Sequence, residues 1–379
     1  MRVVHIGHVP LPPEHPDHGR LYSHPGRWVL NLAMAQAAHT PIVPSIVTQV
    51  PGASRDWSAN IDGVDVEFVR VPDRWRAATL FKFDERRLAA KTLQQEPDLV
   101  HAHGTEEAYA MAAQSTGKPY LVTLQGVFAI INRELPPKLI SRERVVEFLE
   151  RRTLGRAKHV VAKSDYIAER VSRLFPNLVI HRIPNTFDPR LLDLDTTKTP
   201  RSWCFVGMIT ERKGLDIVVD ALQQMDEAVF PSEFHIVGNR GEGEGSYDRR
   251  VLSDLRRLLG EKLVLHGILP ASESAKVVAR CELLLAPSRE EMFGNQLIEA
   301  LLVGAMPLVG EGTALAENVR RYGHGHVIPR DGSDNLRSML AHNGSVNPKG
   351  AASAREKVIR ELGPSVVGNT HFDLYQLIT

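Results

Sequence analysis

One pattern constrains this chain more than any other. Short β-branched runs recur, each closed by Gly, Ser or Pro and each followed by a longer stretch with helical spacing. In the first half these are "RVVHIG", "PDLVHAHG", "PYLVTLQG" and "HVVAKS". After "VIHRIPNTFDP" the series restarts with "SWCFVGM", "EFHIVGN", "KLVLHGI", "CELLLAPS", "MPLVGE" and "GHVIPR". Strands that alternate with helices and read as continuous apolar runs predict a parallel sheet covered on both faces. Two such series predict two doubly wound α/β domains.

A length of 379 residues exceeds what one core usually supports, in agreement with two domains. The segment "DPRLLDLDTTKTPRS" lacks a sustained period and is rich in Asp, Thr and Pro. It divides the chain into an N-terminal domain at 1–186, a linker at 187–200 and a C-terminal domain at 201–360. A helical segment at 361–379 follows and could pack back on the N-terminal domain. Open parallel sheets bind ligands beyond the carboxyl ends of their strands, so the expected functional site is a cleft between the two domains.

Composition excludes several classes. The net charge is +1, with +5 on residues 1–190 and −4 on the remainder, far from a nucleic-acid-binding signature. No apolar run reaches the roughly 18 residues that a membrane span needs, and the first residues read as a strand rather than a leader, so a cytoplasmic protein is expected. Cys204 and Cys281 fall in apolar stretches and read as buried thiols.

The stretch "PSREEMFGNQLIEALLVG" carries the chemistry. Beyond the strand "ELLLAP" a Phe-Gly turn leads into a helix beginning near Asn295, with Leu297, Ile298, Leu301 and Leu302 on its apolar face. The first amides of a helix lack internal partners and sit at the positive end of the dipole, a seat for phosphate. Glu291 precedes that seat, and Glu299 stands about 6 Å further along the axis. Two carboxylates flanking a phosphate suit a ligand with hydroxyls on either side of it, the layout of a nucleotide sugar. A second element, "VGMITERKG", ends a strand at Gly207, where backbone can approach a ligand closely. Lys213, just ahead of the next helix, can offset charge on a diphosphate leaving group.

"PSREEMFGNQLIEALLVGAMPLV" resembles the E-x7-E segment of retaining glycosyltransferases of family 4, whose GT-B fold sets two Rossmann-like domains around a deep cleft. "VGMITERKGLDIVVDAL", "FHIVGN", "LVLHGILP", "PDLVHAHG" and "HRIPNTFD" follow the family's order and approximate spacing, so the resemblance covers most of the chain. It implies that Glu291 holds hydroxyls of the donor sugar and Glu299 the ribose. Backbone amides of Phe293, Gly294, Asn295 and Gln296 would approach sugar and phosphates, with Gly207 and Lys213 on the diphosphate. It also implies a UDP or GDP type of sugar donor, a hydroxyl acceptor, retention at the anomeric carbon, and neither metal nor cofactor.

The chain departs from the family in places. Met208 stands where an Arg is expected, and Arg212 is the candidate to replace its charge. Gln125, in "TLQG", occupies a position where many members have a His that contacts the donor sugar; it can donate and accept hydrogen bonds but cannot carry a proton. The N-terminal loop has Gly19 and Gly26 apart instead of a Gly-Gly pair.

Other features have blander readings. His15, His18 and His24 match no tetrahedral metal template. His101 and His103 share a strand face and fit metal or substrate contact, with a structural strand end preferred. "DLD" at 193–195 lies in the linker, and "GEGEG" at 241–245 reads as a loop. The stretch 133–158, with eight basic and four acidic residues, could face an anionic lipid-linked acceptor or a membrane surface, although a solvated helix face is preferred. A phosphorylase or epimerase on the same fold, and a non-catalytic sugar-nucleotide-binding partner, stand as alternatives to transfer.

Overall fold

A computed structural model describes residues 1–21, 23–134, 141–238, 247–341 and 348–379. It divides into two compact units, Met1–Thr186 with Leu362–Thr379, and Phe187–Glu361. The segment 187–200 clusters with the second unit and contains a 3-10 turn at Pro189–Asp193. "GEGEG" and residues 135–140 of the basic stretch lie outside the described residues.

In the first unit eight strands form one sheet: β1 (Arg2–Ile6), β2 (Val43–Pro51), β3 (Trp57–Ile61), β4 (Val64–Val71), β5 (Leu99–His103), β6 (Tyr120–Thr123), β7 (His159–Ala162) and β8 (Val179–Arg182). Their order is β3-β4-β2-β1-β5-β6-β7-β8. All neighbours are parallel except β3 and β4, which form an antiparallel edge hairpin. The expected parallel sheet thus carries one antiparallel strand at its edge. Asp62 (φ 50) and Gly63 (φ 85) both adopt the left-handed region that a two-residue hairpin turn requires. Gly63 N–H and Asn60 Oδ1 close the turn at 3.1 Å.

Strand β1 lies between β2 and β5, so successive connections leave it in opposite directions; this is the switch point of the first sheet. The helix Pro364–Ile378 covers the same region. Val367, Leu374 and Tyr375 join Val3, Leu32, Leu99 and Leu121 in one buried cluster. Gly368 permits close approach to the helix Trp28–His39, because a Cβ there would lie 3.1 Å from the Ala35 carbonyl oxygen.

The second unit contains six parallel strands, β9 (Ser202–Val206), β10 (Glu233–Val237), β11 (Leu263–Gly267), β12 (Leu283–Ala286), β13 (Met306–Gly310) and β14 (His326–Ile328). Their order, β11-β10-β9-β12-β13-β14, is the doubly wound dinucleotide-binding order, with its switch point between β9 and β12. Trp203, Phe205, Leu215, Leu222, Phe234, Leu255 and Leu308 are among the residues of its core. Cys204 and Cys281 are free and buried, and a hydrogen bond donated to Cys281, with burial, drives the Cys204 thiol well above its usual range.

Candidate active site

Two loops leave the second sheet at its switch point. The first follows β9. Gly207 (φ +147) and Gly238 (φ +144) stand at the ends of adjacent strands, and a Cβ on Gly238 would lie 1.9 Å from the Gly207 carbonyl oxygen. Only glycine admits this packing. The chain then makes a 3-10 turn at Glu211–Lys213 and enters the helix Leu215–Gln223 through Gly214 (φ +72), where a Cβ would lie 2.2 Å from the Pro287 carbonyl oxygen. Pro287 begins the second loop, so Gly214 is the point at which the two loops touch.

The second loop runs from β12 to the helix Asn295–Leu302. Gly294 (φ +82) is its N-cap, packed so that a Cβ would lie 2.0 Å from Leu315 Cδ2. A glycine cap has no side chain to bond the amides of the first turn, where the positive end of the helix dipole lies. Behind the loop, Asn318 Nδ2 donates to the Phe293 carbonyl at 3.1 Å and Ala314 N–H to the Glu291 carbonyl at 2.9 Å. The Phe293 side chain is buried.

The charged groups are coupled. Lys213, 9% exposed, forms an ion pair with Glu291 through Nζ and Oε2. Arg212 Nη1 lies 3.9 Å from the same oxygen and donates to the Glu290 carbonyl at 2.9 Å. Burial lowers the Lys213 pKa, opposed by the charge of Glu291. Met208 is 39% exposed, and Arg212 is a second cation beside Glu291, after Lys213.

Glu299 behaves differently. It is half-buried and its carboxylate has no hydrogen-bond partner among the described residues. Desolvation, reinforced by the negative charge of Asp188, raises its pKa to about 7. A carboxylate held in this state is under-satisfied and suited to hydroxyl donors from a ligand.

A residue that sequence reasoning missed ties the two loops together. Arg289 grips Asp216 with both terminal nitrogens, at 3.0 and 2.7 Å, donates to the Glu211 carbonyl at 2.7 Å and reaches Asp331 at 2.7 Å. Its own amide donates to the Arg212 carbonyl at 2.8 Å. Tyr247 adds a 2.6 Å hydrogen bond to Asp216. No local pattern marks Arg289, because its partners come from elements far away in sequence.

In the first unit, Gln125 follows β6 and accepts a 2.6 Å hydrogen bond from Lys163, which follows β7. Its Nε2 is buried without a partner among the described residues. Glu150 fixes the chain just beyond, accepting from Phe128 N–H at 3.0 Å, Ala129 N–H at 2.9 Å and Thr105 Oγ1 at 2.7 Å. Burial nevertheless raises the Glu150 pKa to about 7.

His5, His101 and His103 bring one nitrogen each within 4.8 Å of the others, the one such group found among the described residues. Their hydrogen bonds account for them differently. His103 Nε2–H donates to His5 Nδ1 at 2.9 Å, and His5 Nε2–H to Gln36 Oε1 at 2.8 Å. Gln36 Nε2 donates to the Tyr375 hydroxyl at 2.9 Å, which donates to His101 Nδ1 at 2.6 Å, leaving His101 Nε2–H for Thr123 Oγ1 at 2.7 Å. Each imidazole is neutral in this order, consistent with burial holding His5 at about 4 and the other two well below their usual range. The preferred reading of a structural strand end describes this cluster. His18 and His24 of the N-terminal loop are engaged by local backbone, and His15 Nδ1 accepts from Asp17 N–H at 3.1 Å.

Gly207, Arg212, Lys213, Glu291, Phe293, Gly294, Asn295, Gln296 and Glu299 thus belong to two loops and one helix at a single switch point, with Gln125 in the other unit. Comparisons with known proteins agree with this architecture. Residues 25–186 match the model of a glycosyl transferase 4-like domain, and residues 200–342 that of glycosyl transferases group 1. The chain is 23% identical over 290 residues to 2-deoxystreptamine glucosyltransferase of Streptomyces kanamyceticus, covering 70% of this chain and 67% of the relative. It is 24% identical over 241 residues to 2-deoxystreptamine N-acetyl-D-glucosaminyltransferase of Streptomyces fradiae, covering 56% and 54%. The match therefore spans between half and two thirds of these relatives. Among solved structures, sucrose-phosphate synthase from Thermosynechococcus elongatus superposes with a TM-score of 0.77 at 17% identity, over 99% of this chain and 98% of that one. Anabaena Alr3699/HepE in complex with UDP-glucose gives 0.69 at 16% identity, over 99% of both. Two family models that together cover most of the sequence, on two doubly wound units, make the chain a member of the glycosyltransferases of family 4 type with the GT-B fold.

Proposed function

We propose that the protein transfers a hexose or amino-hexose from a nucleoside diphosphate sugar, of UDP or GDP type, to a hydroxyl acceptor with retention at the anomeric carbon. The observation that carries this reading is the glycine-capped helix start at Gly294 with Lys213 and Glu291 before it and Glu299 within it. A diphosphate at the helix start draws Lys213 and Arg212 to its charge. Glu291 accepts hydrogen bonds from hydroxyls of the sugar, and Glu299 from those of the ribose. Neither carboxylate is then a general base. The leaving phosphate oxygen takes the acceptor's proton on the face it departs from, and the cations and helix dipole stabilise it. In this reading the reaction uses no metal or cofactor.

The activities for which the two Streptomyces relatives are named, glucosyl and N-acetylglucosaminyl transfer to 2-deoxystreptamine, support a small hydroxyl-bearing acceptor. No helix among the described residues is long and apolar enough to cross a membrane. Arg144 and Arg151 of the basic stretch both pair with Glu147, which favours a solvated face over membrane contact.

Calorimetry with UDP-, GDP- and ADP-sugars in EDTA tests the donor site, and NMR of the product's anomeric proton tests retention. Binding of one donor class, slow donor hydrolysis and an unchanged anomeric configuration are expected. Donor binding without any hydrolysis would leave a non-catalytic sugar-nucleotide-binding protein, and no binding at all would remove the proposal.

A further inference from the structure

We propose that Lys163 is a positioning residue that makes Gln125 an obligate hydrogen-bond donor to a hydroxyl oxygen of the sugar substrate. An ammonium group can only donate, so the amide atom 2.6 Å from Lys163 Nζ must be the oxygen of Gln125. This leaves the NH2 group turned away from Lys163, and that nitrogen is buried with no partner among the described residues. A buried donor without an acceptor is uncommon in folded proteins and marks a place where a ligand atom completes the pairing. The backbone that carries it is held in place: Glu150 accepts the amides of Phe128 and Ala129 and the hydroxyl of Thr105, and Gly126 packs so that a Cβ would lie 3.2 Å from Glu106 Oε1. The two residues stand at the carboxyl ends of adjacent strands β6 and β7, where doubly wound sheets present ligand-binding groups.

The chemistry also narrows the ligand. Glu106 and Glu150 stand close enough to act on each other's ionisation, and Lys163 acts on Glu106, so its cation is offset by acids rather than left for an anion. A neutral oxygen suits this corner better than a carboxylate or phosphate. A histidine at position 125 would carry its own N–H; here a lysine on the next strand sets the direction of an amide that could otherwise turn either way. The inference rests on the glycosyltransferase reading and adds to it a residue that acts through Gln125.

A double-mutant cycle in the full chain tests it, with Lys163→Met, Gln125→His and the pair. The readouts are kcat/KM for hydrolysis of whichever nucleotide sugar binds, and Kd for the matching nucleoside diphosphate. Lys163→Met should lower kcat/KM about tenfold in the native background, the scale of one hydrogen bond to substrate. It should change it less than about twofold when position 125 is His, because imidazole needs no lysine to present its N–H. Nucleoside diphosphate Kd should stay constant throughout. Equal effects in both backgrounds, or none in the native one, would overturn the inference while leaving the glycosyltransferase reading intact. If the wild type binds no nucleotide sugar, both fall together. Should Lys163→Met fail to fold, Gln125→Glu keeps a partner for Lys163 but has no N–H, and retained kcat/KM there would equally reject the inference.

Discussion

At the scale of single residues, Lys213 and Glu291 satisfy each other's charge. Lys213 rests on Glu291, so a diphosphate competes with that carboxylate for the same ammonium. Glu291→Gln should therefore tighten binding of a nucleoside diphosphate lacking sugar by about threefold to tenfold, the scale of one ion pair, while lowering turnover of the nucleotide sugar. Calorimetry separates the two, and unchanged or weaker diphosphate binding would show that the pair does not compete. Glu299 predicts a pH dependence. Its pKa is raised to about 7, so ionisation is costlier in the folded protein than in the unfolded chain, and this group's contribution lowers stability as pH rises from about 4.5 to 7. Glu299→Gln should raise the melting temperature at pH 8 and change it little at pH 4.5. Hydroxyl binding needs the ionised form, so nucleotide-sugar affinity should fall as pH drops below 7 and this slope should flatten in the variant. A nucleotide sugar is the better probe because it lacks the terminal phosphate ionisation near pH 6. A slope that survives in Glu299→Gln would place the titrating group elsewhere.

At the scale of elements, Arg289 ties the loop after β9 to the loop after β12. Arg289→Met should weaken nucleoside diphosphate binding by about tenfold although the side chain is not proposed to touch the ligand, and Arg289→Lys should recover only part, since an ammonium cannot reproduce the two-point grip on Asp216. Wild-type affinity in Arg289→Met would show that the loops keep their places without it. The elements themselves were legible in the sequence, since buried parallel strands such as "CELLLAPS" are apolar throughout and end in turn residues. The helix start at Asn295 was legible from Gly294 and the apolar spacing behind it. The Asp62-Gly63 turn carried a readable hairpin signal that the expectation of parallel strands passed over. Arg289 was not legible, for its partners Asp216 and Asp331 lie 73 and 42 residues away. Nor was the state of Glu299, because local spacing places a side chain on a helix face but does not report how much protein surrounds it.

At the scale of the whole molecule, the first unit is assembled from both ends of the chain. Its switch point is covered by the helix Pro364–Ile378, whose Tyr375 is a link in the proton-ordered chain from His103 to Thr123. Tyr375→Phe should leave the Gln36 amide and His101 Nδ1 without their partner and cost about 1–3 kcal/mol, read by urea unfolding. The same cluster sets an acid limit. Burial holds His5 and His371 at about 4, below the value near 6.5 in the unfolded chain, so the unfolded chain takes up protons first and stability falls as pH drops from about 6.5 towards 4. In Glu299→Gln, where the opposing carboxyl is gone, proton uptake on unfolding should accordingly exceed one at pH 5, and a flat stability profile from pH 7 to 5 would contradict the neutral assignment. The last helix has a consequence for biosynthesis as well. Residues 187–361 emerge from the ribosome before the segment that seals the opening domain, so that domain waits through the making of an entire second one with Val3, Leu99 and Leu121 uncovered.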